Sequence, residues 1–184
     1  RVRRQRQMCI RDSSYNDMEM LARDAKAFEY FIDPDDESFA TPKNMPEKIC
    51  TYCEKTGQGK PESDGAMIRC IYESLAMKYR FAIKQIEENT GKKFDVLHLL
   101  GGGTKDNFLC QMTADSLNID VIAGPTEATA LGNIILQLIA LGDIEDVNTG
   151  RQIIKSSEKL TAYKSENASD FDKNYDKFVK ILNK

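Results

Sequence analysis

Histidine is almost absent from this sequence: His98 is the one copy, and it sits in an apolar run that reads as a strand. Cysteines number five, at positions 9, 50, 53, 70 and 110, an odd count too sparse for a disulfide scaffold. Cys50 and Cys53 form a C-x-x-C, but no second pair completes a four-ligand zinc site, and no metal site is expected. A lone thiol likewise has no imidazole nearby in sequence to activate it as a nucleophile. The cysteines therefore read as helix-packing thiols of a reduced, cytoplasmic protein. Cys53 and Cys70 are a pair that oxidation could join, at a distance the sequence does not give. No apolar run approaches the roughly 18 residues of a membrane span. A charged-then-apolar secretory leader is missing too, and nothing points to export. Internal repeats and low-complexity tracts are also lacking.

What remains is an ordinary soluble composition, 41% hydrophobic and 30% charged over 184 residues. That length fits one domain, or one domain with an appendage, and can bury a core without staples. The overall charge of −3 hides an asymmetry. Residues 1–12 hold five arginines against one aspartate, a net of +4, so the rest of the chain carries −7. An acidic body disfavours nucleic acid as the main partner. The basic segment itself, RVRRQRQMCIRD, has neither a helical stripe nor strand alternation. It reads as extraneous or as a disordered arm, leaving residues 13–184 to carry the fold.

Along that remainder, Ser13 or Ser14 is placed to cap a short helix carrying Met18, Leu21 and Ala22. FIDPDDESFATPKNMPEK follows as an extended, turn-rich segment pinned by Phe31, Ile32 and Phe39. A short helix from about Pro46 carries Ile49, Tyr52 and Cys53. A long helix capped by Ser63 or Asp64 places Met67, Ile68, Ile71, Leu75, Tyr79, Ala82, Ile83 and Ile86 on one stripe and ends at Asn89, Thr90 and Gly91. Then come a buried strand at 96–100, a helix with Phe108, Leu109, Met112, Ala114 and Leu117, and a second strand at 121–123. A third helix opens at Thr126 and closes at Gly142. The tail adds one amphipathic helix with Phe171, Tyr175, Phe178, Val179 and Leu182. Helices alternating with strands predict α/β layering with parallel strands.

Chemistry concentrates where the first strand runs into Gly101-Gly102-Gly103-Thr104. Three glycines let a ligand approach the backbone where no β-carbon interferes. The helix start that follows offers free N–H groups and partial positive charge, suited to a nucleotide or phosphate. A tight turn needed only for packing would explain the same residues. Two familiar nucleotide motifs are excluded: G-x-G-x-x-G needs glycine where Asp106 stands, and G-x-x-x-x-G-K-[ST] has no match. After the second strand, GPTEATALGN keeps one side of a helix start small and sets Glu127 in the first turn, where negative charge suits the dipole. A capping role for Glu127 is read ahead of ligand contact.

LHLLGGGTKDNFLCQMTADSLNIDVIAGPTEATALGNIILQ closely resembles the carboxy-terminal domain of the FGGY carbohydrate kinases. SYNDMEMLARDA, FIDPDDESFATPKNM and PESDGAMIRCIYESLAMKY look like the branch of that family that phosphorylates L-rhamnulose. The similarity runs from about Ser13 to the tail, weakens after about Lys155 and does not take in residues 1–12. The resemblance implies an α/β fold of the ribonuclease H-like, actin-like ATPase type, present here in part, with parallel strands 96–100 and 121–123 packed by helices. Two such domains flank a cleft in that family, the first binding sugar and the second ATP, and the γ-phosphoryl group passes from Mg-ATP to a sugar hydroxyl. The family's base, an aspartate, lies outside the matched region, so no catalytic residue is expected here. The expected partner is the amino-terminal domain of the same kinase.

Gly102 matches the family's nucleotide-contacting glycine, and Gly101 and Gly103 shape the turn. Asp106 matches a position where relatives often carry asparagine close to adenine. An ionised aspartate only accepts hydrogen bonds, so Asn107 could supply that contact instead. A kinase for L-fuculose, D-xylulose or glycerol, and a non-catalytic nucleotide- or sugar-sensing relative, fit the same motifs. Residues upstream would separate them.

Overall fold

The computed structural model describes residues 15–41 and 43–183. The basic segment 1–12, the cap expected at Ser13 or Ser14, and Cys9 lie outside the described residues. In chain order the helices are α1 (Tyr15–Asp24), α2 (Met45–Lys55), α3 (Asp64–Thr90), α4 (Asn107–Leu117), α5 (Ala128–Leu141), α6 (Val147–Ser157) and α7 (Ala168–Leu182). The strands are β1 (Val96–Leu99), β2 (Asp120–Ala123) and β3 (Thr161–Tyr163). The sheet order is β1-β2-β3, with β1 and β2 parallel and β2 and β3 antiparallel. His98 lies opposite Ile122 and Val121 opposite Tyr163.

Helix boundaries follow their caps. Ser63 has extended backbone and its hydroxyl accepts from the Ala66 N–H at 3.1 Å, starting α3. Gly91, at φ 69°, stops it with a bond from its N–H to Glu87. Between them α3 rises about 40 Å at 1.5 Å per residue. Its start also needs Gly65, because a methyl group there would drive into the Leu21 carbonyl of α1.

The main core lies where α3, α4 and α7 meet, with Ala76, Met77, Phe108, Met112, Phe171 and Phe178 buried together. Phe31 reaches in from the connector and meets Phe178 edge-on at 5.7 Å. A second cluster of Ile32, Ile49, Cys53 and Cys70 joins α2 to α3. There Cys53 and Cys70 are free thiols in hydrogen-bond contact, and that bond with burial pushes the Cys70 thiol well up.

The predicted stripe of α3 is not its most buried face. Tyr79 and Ile86 are exposed, while Cys70, Tyr72, Glu73, Ser74, Ala76 and Met77 are buried. Glu73 and Ser74 earn that place by bonding the connector backbone: Phe28 N–H donates to Glu73 at 2.7 Å and Ile32 N–H to Ser74 Oγ at 2.9 Å. Arg69 bonds Glu73 at 2.7 Å from the same helix, though burial still pushes the Glu73 carboxyl up. Hydropathy is blind to such satisfied polar groups.

Further differences lie downstream. Helix α5 begins at Ala128, two residues later than predicted, because the Pro125 carbonyl is taken by the Gly101 N–H at 3.2 Å. Glu127 therefore precedes the helix, is exposed, and makes no capping bond. Neither helix α6 nor strand β3 is legible in the apolar pattern: the first has few apolar residues and the second is three residues long. Gly150 lets α6 close on α5, since a β-carbon there would overlap Ile135. Strand β1 is not buried on both faces as its composition suggests; Val96 and His98 are exposed, and Leu97 and Leu99 are half-buried.

Candidate functional site

Strands β1 and β2 are parallel, so their carboxyl ends point the same way and deliver two loops side by side. At such strand ends open α/β sheets bind their ligands. The loops are stitched together. Gly124 N–H donates to the Leu99 carbonyl at 2.9 Å, and Gly101 N–H to the Pro125 carbonyl at 3.2 Å. Thr104 folds the first loop back, its N–H and hydroxyl both donating to the Gly101 carbonyl at 3.1 and 2.6 Å. The resulting single turn of 3-10 helix spans Gly102–Lys105. Cys110 is fully buried beneath it, and burial pushes its thiol up to about 11, which leaves it an inert packing group.

The three glycines are not equivalent. Gly101 sits at φ 89°, a conformation that side chains other than glycine rarely adopt. Gly102 and Gly103 lie outside the left-handed region, and a β-carbon on either would meet only open space. The fold requires glycine at 101 and tolerates other residues at 102 and 103.

Asp106 caps α4. One carboxylate oxygen accepts from the Leu109 N–H at 3.0 Å and the other from the Tyr72 hydroxyl at 2.5 Å. Both oxygens are thus engaged within the protein, which makes Asp106 a structural residue of the loop. Asn107, next in sequence, is exposed, and its Oδ1 accepts from the Tyr163 hydroxyl at 2.7 Å. The structure therefore brings Gly101, Gly102, Gly103, Asp106 and Asn107 to one place and divides their labour. Sequence reasoning missed Tyr72 and Tyr163, which act on the site from helix and strand positions far away in the chain; neither stands in a motif.

Among the described residues, no group of three or more histidine, cysteine, aspartate or glutamate side chains could hold a metal ion. Asp106, the carboxylate at the loop, is already committed, so these residues do not fit a magnesium site. Two clefts lie elsewhere, one beside α2 and the end of α7 at Lys48, Tyr52 and Ile181, the other at Ser63 and Gly65. The glycine loop lines neither cleft, and Gly102, Gly103, Lys105 and Asn107 are exposed on it.

The family model for FGGY carbohydrate kinases, C-terminal domain, matches residues 2–141. The chain belongs to the FGGY family. The match begins inside the basic segment and stops at Leu141, so α6, β3 and α7 lie beyond it. A rhamnulokinase of Bacteroides thetaiotaomicron is 38% identical over 164 residues, which is 89% of this chain and 34% of that protein. A rhamnulokinase of Enterococcus faecalis is 39% identical over 170 residues, 91% of this chain and 34% of the relative. The chain thus spans about a third of the length of these relatives. Among solved structures, gluconate kinase and ligand-bound xylulose kinase, both from Lactobacillus acidophilus, superpose with TM-scores of 0.66 at 18% identity. They cover 94% and 97% of this chain, which in turn covers 35% and 36% of them. At that identity they speak for the fold, the actin-like ATPase type that FGGY kinases share.

Proposed function

We propose that this chain is the nucleotide-binding, carboxy-terminal part of a sugar kinase that moves the γ-phosphoryl group of ATP to L-rhamnulose, giving L-rhamnulose 1-phosphate. The observation that carries the reading is the bareness of Gly102 and Gly103, which the fold does not need and a nucleotide lying on the loop would. The rhamnulokinase relatives supply the choice of sugar.

In-line phosphoryl transfer needs a positioned nucleotide, neutralised charge and a base for the attacking hydroxyl. Of these, the present residues serve the first. The backbone of 101–104, held rigid by Thr104 and Pro125, forms a floor for ATP. Asp106, by capping α4, fixes the helix start beside that floor. Magnesium, when bound with ATP, neutralises phosphate charge, and its ligands belong to sequence beyond this chain. So do the base and the sugar-contacting residues. The amino-terminal domain of the same kinase is the partner this reading requires. The four cysteines among the described residues are free thiols, which suits a reducing cytoplasm, and no helix among those residues is long and apolar enough to cross a membrane.

Titrating ATP into the wild-type chain and Gly102→Val tests the reading. A valine would project into open space, so the thermal midpoint should hold while affinity falls on the order of tenfold, equivalent to about 1.4 kcal/mol. Equal, measurable affinities would mean that the loop is only a turn.

A further inference from the structure

The cleft between α2 and the end of α7 has a volume of about 630 Å³. Pockets that hold small molecules run from roughly 300 to 1,000 Å³. Lys48, Tyr52 and Lys55 line it at spacings of four and three residues, and so share one face of α2. Ile181 and Leu182 of α7 supply aliphatic surface, and Phe39 braces the Tyr52 ring, with centroids 5.5 Å apart. Ser38 and Thr51 add hydroxyls. Three lysines and three carboxylates are also in the lining, equal in number but not in availability. Asp33 is held by Lys78 Nζ at 2.7 Å, Asp36 Oδ1 accepts the Ser38 N–H at 2.8 Å, and Glu47 is exposed in the first turn of α2. Lys48 Nζ donates to neutral oxygens, the Thr41 carbonyl and hydroxyl, at 2.6 and 2.9 Å. Lys43 and Lys55 are exposed and make no ion pair among the described residues.

We propose that this cleft binds a phosphorylated sugar, at a site apart from the glycine loop and independent of the nucleotide reading. A phosphate monoester carries about −1.5 to −2 charges near pH 7 and presents strong acceptor oxygens. Lysine ammonium groups match it as compact point charges with three donors each. The start of α2 adds to them: Asn44, at φ 52°, makes no capping side-chain bond, so first-turn N–H groups lie open at that end of the cleft. A sugar ring has hydroxyls at its edge, which Ser38, Thr51 and the lysines can pair. Its C–H face suits the Tyr52 ring and the aliphatic surface of Ile181 and Leu182. Inorganic phosphate would use only the cationic part of this lining, and an unphosphorylated sugar only the remainder. The two together select the monoester.

The test is a titration of the wild-type chain with L-rhamnulose 1-phosphate, D-fructose 1-phosphate, inorganic phosphate and L-rhamnulose, with amide hydrogen exchange to locate binding. At least one sugar phosphate should bind at submillimolar concentration and slow exchange within residues 43–56 but not 101–107. Inorganic phosphate and L-rhamnulose should each bind about tenfold more weakly or worse. The double variant Lys43→Gln, Lys55→Gln alters two exposed side chains, so its thermal midpoint should hold. Its affinity should fall about tenfold or more, the scale of a lost charge-assisted hydrogen bond. Lys155→Gln, an equally exposed change on α6, should leave affinity as it was. Neither sugar phosphate binding at millimolar concentration would overturn the proposal, as would protection at 101–107 in place of 43–56. An equal loss in Lys155→Gln, or inorganic phosphate bound as tightly as the sugar phosphates, would reduce the cleft to a patch of charge and overturn it too. Its failure would leave the nucleotide reading standing, because the glycine loop lines no part of this cleft.

Discussion

Gly65 and Gly102 show two opposite reasons for a glycine. At Gly65 the missing β-carbon is filled by another part of the same molecule, the Leu21 carbonyl. Backbone cannot rotate out of the way as a side chain can, so overpacking there is costly. Gly65→Ala should destabilise the chain by roughly 1–3 kcal/mol, read as a lower urea midpoint, and should separate α1 from α3. An unchanged midpoint would mean that α1 rides loosely on its neighbour. At Gly102 nothing within the described residues occupies the space. A substitution that costs stability at one site should therefore cost affinity at the other, and the two effects are separable by measurement.

Among the elements, β1 carries the sharpest consequence. It pairs with β2 on one side and, among the described residues, with nothing on the other. Its outward backbone groups form an open edge, and VLHLL has none of the lysines, prolines or bulges with which such edges are blunted. The isolated chain should self-associate through this strand, seen as a mass that rises with concentration in light scattering. Val96 is 40% exposed, so Val96→Lys adds charge without disturbing packing and should reduce association. A monomer at all concentrations would show that the edge is covered. The sequence announced most of these elements. Ser63, Gly91 and Gly142 marked helix ends through capping and positive φ, and the strand-glycine-helix junction marked the candidate site. It concealed the elements whose reasons are tertiary. The face of α3 turned on hydrogen bonds to Phe28 and Ile32, α6 on a close approach at Gly150, and β3 on pairing with β2. Periodicity records burial of apolar groups and is silent about such partners.

For the whole molecule, the proposed function gives the described residues the nucleotide floor and leaves the base to sequence outside them. A coupled assay of ADP release with L-rhamnulose and Mg-ATP should find no turnover by this chain alone. Turnover at the rate of an ordinary kinase, roughly 1–100 per second, would show that a base lies within it and that the division of labour drawn above is wrong.

The α5–α6 pair invites one more consequence. Helix α5 is apolar on nearly every side, yet Leu136 and Leu141 are exposed and its principal packing partner among the described residues is α6. A hairpin so thinly attached is a separate cooperative unit, able to open while the α3, α4 and α7 core stays shut. Native-state amide exchange should show it, with α5 and α6 exchanging at a lower free energy than the core helices. Because Pro125 and Thr126 lead directly into α5, each opening would also tug the second loop away from Gly101. Ligand on the glycine floor would then slow exchange in helices it never touches. Uniform protection across the seven described helices would deny both effects.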